Sequence, residues 1–246
     1  MPKQVFTFKD VIVASIVADR INKGYIRESN FTYNEKTERY VPVSVGNKNI
    51  MREILFPGTS IKDDMAILGK TSITAIESDF DIADEMCGYV EGLAFKALSN
   101  ELQGYEKSLY SAYESNELTS FDFGLLASFP SSFKRTSKKE EIEVEISRLC
   151  ADNGYIGKVG EKIEADIKIM NHIFSRNYNA HIYTAITAQN NLLNFWSQKS
   201  PSDLAVIGAS ISITAKVKRT SNSKFYPGIA ETQLNYVKKI KGWQIL

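Results

Sequence analysis

Ile156-Gly157-Lys158-Val159-Gly160-Glu161-Lys162-Ile163-Glu164-Ala165-Asp166-Ile167-Lys168-Ile169 opens the last third of this 246-residue chain. Two glycines punctuate its start, and from Lys162 onward apolar and charged side chains alternate with a period of two. That period describes a strand with one face for a core and one for solvent or ligand. The alternation returns downstream. Ile182, Thr184, Ile186 and Ala188 alternate with His181, Tyr183, Ala185 and Thr187, while Ile211, Ile213, Ala215 and Val217 alternate with Ser210, Ser212, Thr214, Lys216 and Lys218. The first-named set of each segment is expected to face the core. With residues 192–198 and 232–240, five strands fit between Lys162 and Ile240, which predicts a small closed β-barrel.

Upstream the periods differ. Residues 9–22 suit a short helix ended by Gly24, although their β-branched density suits a strand almost as well. Tyr25–Tyr33 and Arg39–Val45, separated by a polar stretch, predict a hairpin. From Phe80 to Tyr113 apolar residues recur every three or four positions, the stripe of helices, with a break expected near Gly104. A loop is expected through Phe121, Phe123, Phe129-Pro130 and Phe133 to Lys139. A further helix follows over residues 140–150, with Ser137 as its N-cap. The fold class read from these patterns is α+β: a mixed, α-rich region over residues 1–150, then a five-stranded barrel over 151–246. Five strands is the count of an oligonucleotide/oligosaccharide-binding (OB) barrel. At 43% hydrophobic residues, the chain can bury the cores this requires.

Several function classes find no support. The longest apolar-rich run, Val11–Ala18, is far shorter than the roughly 20 residues of a bilayer span, and charged residues flank it without a cleavage signal. The expectation is a cytoplasmic protein without a membrane partner, residing in the host cytoplasm if viral. Cys87 and Cys150 lie far apart within apolar helical patterns and are expected as free thiols. Gly69-Lys70-Thr71 ends like a phosphate-binding loop, but the glycine required five residues earlier is Asp64. Asp79, Asp81, Asp84 and Glu85 fall in the first turns of a helix, where carboxylates favour the dipole. His172 and His181 have no cysteine or acidic partner at zinc-ligand spacing. No catalytic residue, metal or cofactor is therefore expected.

Charge points elsewhere. Residues 150–246 hold 12 Lys and Arg against 6 Asp and Glu, while residues 1–149 hold 18 against 23. A net charge of +1 thus conceals a basic module joined to an acidic one, the asymmetry expected when one module meets a polyanion. In an OB barrel the binding face comes from the second and third strands with the loops after the first and fourth. The first loop brings Phe174, Arg176 and Tyr178. The second brings Arg219, Lys224, Phe225 and Tyr226. Tyr183 is expected on the outer face of the second strand, Phe195 or Trp196 on that of the third with Lys199 beyond, and Lys216 and Lys218 on that of the fourth. Unpaired bases stack on such rings while cations follow the phosphates.

On Ile156–Ile163, on the glycine-led strand from Ile207-Gly208 to Lys216-Val217-Lys218, and on the closing Glu231-Thr232-Gln233-Leu234-Asn235-Tyr236-Val237-Lys238, the chain resembles bacteriophage OB-fold single-stranded DNA-binding and replication proteins. The resemblance covers roughly residues 150–240. It implies a non-catalytic single-stranded DNA binder in replication or recombination, with RNA an open alternative ligand and replication proteins or self-association as further partners. One departure is the end of the sequence, Lys239 to Leu246, where many such proteins carry an acidic tail for partner exchange. The alternative from another class is a structural or assembly protein whose barrel mediates protein contacts.

Overall fold

The computed structural model describes residues 6–58, 73–115 and 117–240. Gly69-Lys70-Thr71 and the residues after Ile240 lie outside the described residues. The chain divides into two compact units, Met1–Thr136 and Ser137–Leu246.

In the first unit, helix α1 (Phe8–Asn22) starts at a capping box. The Thr7 hydroxyl accepts from the Asp10 amide at 3.1 Å, and the Asp10 carboxylate accepts from the Thr7 amide at 2.9 Å. Left-handed Lys23 and the Gly24 amide, donating to the Asp19 carbonyl at 2.9 Å, close it. Good caps and a buried stripe override the β-branched preference of this segment. Strands β1 (Asn30–Asn34) and β2 (Arg39–Ser44) form the expected hairpin. Helices α2 (Asn47–Leu55), α3 (Glu77–Leu98), α4 (Gly104–Glu114) and α5 (Ser120–Cys150) follow, and Gly104 begins α4 at a positive φ of 52°. Ile12, Ile50, Met51, Met86, Leu109, Leu126 and Phe129 fill the core. Two buried acids brace it. Asp19 accepts from Ser131 and Lys134, each at 2.6 Å, and Asp79 accepts from Arg20 at 2.9 and 3.1 Å and from the Ile76 amide at 3.0 Å.

The loop expected over residues 121–139 is instead helical, part of α5. Phe123, Leu126, Ala127 and Phe129 recur at helical spacing and are buried in the core. Their burial outweighs Pro130, which removes one backbone hydrogen bond from the helix interior. Ser137 accordingly lies inside α5 and is not an N-cap.

In the second unit, strands β3 (Lys162–Ser175), β4 (Ala180–Thr187), β5 (Leu192–Ser197), β6 (Ser210–Asn222) and β7 (Ala230–Lys239) close into an OB-like barrel in the order β3-β4-β5-β7-β6. Every pairing is antiparallel except β5 with β7. The lumen holds Ile167, Ile169, Tyr183, Ala185, Leu193, Phe195, Ile213, Ala215, Val217 and Leu234, and Leu204 and Ala205 of the β5–β6 connection join them. Gly157 leads into β3 at φ +68°, where an added Cβ would sit 2.9 Å from Ile163 Cγ2 and 3.1 Å from Val217 Cγ2. Only glycine meets both conditions. The last turns of α5 cover part of the outer wall, burying Ile146 and Cys150 against Met170, Ile186, Leu192, Tyr226 and Ile229. Among the described residues no helix is long and apolar enough to cross a membrane.

Candidate nucleic-acid interface

Strand register decides which side chains share the outer wall. Ile182 pairs with Trp196, Thr184 with Asn194 and Ile186 with Leu192. Since Tyr183, Ala185, Leu193 and Phe195 fill the lumen, the intervening residues point outward. One outward row therefore runs Ile173, Ile182, Trp196, and the next runs Asn171, Thr184, Asn194, Gln233, Arg219. The third, Ile186 and Leu192, lies under α5. The middle row is polar and crosses several strands, about 14 Å from Thr184 to Arg219 at the usual strand spacing. Trp196 borders it on one side, 40% exposed, with the Tyr178 ring edge-on at 5.1 Å.

The β6–β7 loop borders the other side. Ser223 is buried and folds this loop: its hydroxyl donates to Glu231 at 2.8 Å and accepts from the Phe225 and Tyr226 amides at 3.3 Å. Phe225 is left 70% exposed, beside exposed Lys224. Tyr226 turns inward under α5, with its phenol near Thr184 on the floor of the polar row. Burial raises its pKa, the Thr184 contact acting in the opposite sense.

Several expected site residues take other places. Tyr183 is wholly buried, stacked on Phe195 with ring centroids 5.1 Å apart, and donates its phenol to the Lys199 carbonyl at 3.1 Å. The in/out assignment of β4 is thus the reverse of the expected one. Its outward residues looked like core because α5 covers Ile186. Tyr226 is 7% exposed, so it shapes the loop and offers no free ring face. Phe174, next to last in β3, lies opposite His181 at the open end of the barrel, 48% exposed, with centroids 4.9 Å apart. It does not join Trp196. Lys216 and Lys218 face solvent as expected, but on β6, with Lys216 between Lys162 of β3 and Asn235 of β7. They belong to a different stretch of wall. Arg176, Tyr178, Trp196, Lys199, Arg219 and Lys224 remain exposed along the polar row and its two flanks. Asn171, Thr184, Asn194 and Gln233 escaped the sequence reading, since a polar residue within a strand carries no mark of its face until the register is known.

None of Arg176, Lys199, Arg219 and Lys224 forms an ion pair among the described residues. Their charge is available to an anion. At the lumen end beside Phe174, the Nδ1 atoms of His172 and His181 are buried without a hydrogen-bond partner among the described residues. Burial, with the charge of His181 second, lowers the His172 pKa. No protein-family model, curated protein or solved structure matches the chain.

Proposed function

We propose that the barrel binds single-stranded DNA without catalysis, in replication or recombination in the cytoplasm, as the resemblance to phage OB-fold binders implies. The observation that carries the reading is the outward polar row Thr184-Asn194-Gln233-Arg219, lying between the Trp196–Tyr178 pair and the Lys224-Phe225 loop tip. Its floor offers the half-buried Thr184 hydroxyl and Gln233 amide to base edges or sugars, with Asn194 buried between them. Its flanks offer ring faces, each worth about 1–3 kcal/mol to an unpaired base, and Arg176, Lys199, Arg219 and Lys224 offer unpaired cations to phosphates. A duplex hides its base faces and gains only the phosphate contacts.

Fluorescence-anisotropy titration of one labelled sequence, single-stranded and as duplex, tests this over a range of salt. The single strand binds more tightly, with a slope of about 0.7 per phosphate contact against log salt. Equal affinity for both forms contradicts the stacking; no affinity for either leaves the barrel as a protein-contact module.

A further inference from the structure

We propose a second nucleotide-binding site on the β3–β6–β7 wall, where a single strand leaving the Trp196 groove is held again. Lys162 of β3 lies directly opposite Lys216 of β6; like charges so placed destabilise a sheet, and a bound anion would offset that repulsion. Lys238 of β7 joins them around a depression of ≈ 400 Å³ lined also by Gly160, Thr214 and Tyr236. Among the described residues none of the three lysines is ion-paired. The nearby Glu161 carboxylate is turned toward the Lys158 amide, from which it accepts at 2.7 Å, and forms no ion pair with the three lysines. Glu164 lies opposite Thr214 at the border of the depression and lines the adjoining hollow with Asp166, so one carboxylate flanks the three lysines.

Tyr236 supplies the second half of a nucleotide's chemistry. It holds a left-handed φ of 55°, uncommon for an aromatic residue, and its side chain is 77% exposed beside the lysines. The register of β6 against β7 shifts here, between Thr214 and Lys216. Such an irregularity re-aims side chains at the cost of pairing. A ring standing free beside three cations suits a stacked base whose phosphates meet the lysines.

The path from the groove is continuous. Arg219 ends the polar row, and a second register shift, between Val217 and Arg219, lets consecutive Lys218 and Arg219 both face solvent before Lys216 is reached. This second contact rests on the groove reading, and one experiment separates the two. A 5′-phosphorylated thymidine dinucleotide is titrated into the ¹⁵N-labelled full chain and amide shifts are followed at both sites. We expect saturable shifts at Gly160, Thr214 and Tyr236 as well as at Asn194 and Trp196. The wall shifts should vanish in Lys162→Gln/Lys216→Gln/Lys238→Gln while the groove shifts persist. Because the three lysines are exposed, the variant's unshifted amides report that it is folded. Shifts confined to the groove overturn the second site and leave the groove standing. Shifts confined to the wall that the variant loses leave a nucleotide site there but remove the groove, and so overturn the passage of one strand between the two. Shifts at neither, or wall shifts that survive the triple substitution, overturn the proposal.

Discussion

Trp196 stands 40% exposed one position from Phe195, which is wholly buried, so a single step along β5 separates a core ring from a surface one. Trp196→Ala, and separately Tyr178→Ala, should weaken single-strand binding by about 1–3 kcal/mol each with little change in the salt slope, because a stacked ring releases no counterion. Anisotropy titration with circular dichroism as folding control measures both. His172 makes a prediction of another kind. Its imidazole is held below its ordinary pKa by burial and by His181, so the unfolded chain binds a proton that the folded chain refuses. Stability is then full above the unfolded value of about 6.5 and falls as pH drops below it. Thermal melting between neutral and mildly acidic pH should record this loss, and His172→Gln should flatten it; an unchanged pH dependence in the variant assigns the loss elsewhere.

Among the elements, the end of α5 does most to shape the interface, because it covers Ile186 and Leu192 and gives Tyr226 a surface to pack on. Ile146→Ala should destabilise the barrel unit by about 2–4 kcal/mol through the cavity it leaves, measured by urea unfolding; a cost near zero would mean that the helix end does not hold the wall. The same cover explains what the sequence could disclose. Along β3 and β6 the outward residues are Lys162, Glu164, Lys216 and Lys218, and the alternation named the lumen side correctly. Along β4 both faces carry apolar residues, Tyr183 and Ala185 toward the lumen and Ile182 and Ile186 outward, the last under α5, so period two gave two faces and no means of choosing between them. Tyr183 was misplaced for that reason. Pro130 misled in a similar way, since a strong local breaker can be overridden by Phe123, Leu126 and Phe129 in a core contributed by distant segments. Five strands and their glycine-led start were legible because they depend on local pattern. The polar row and the Lys162–Lys216 pair were not, because they exist only once strands are in register.

At the scale of the molecule, the excess of 12 cations over 6 acids after residue 149 suits binding to a polyanion but does not distinguish a single strand from a duplex. Stacking does. The central claim is that Trp196 meets a base, and Trp196 reports on itself. The chain has two tryptophans, so Trp243→Phe leaves Trp196 as the sole indole emitter. Titrating that variant with oligo(dT) and with duplex of equal phosphate content, while following tryptophan emission, tests the claim directly. The account predicts saturable quenching by the single strand and little by the duplex. Emission that stays constant while anisotropy reports bound single strand would contradict it.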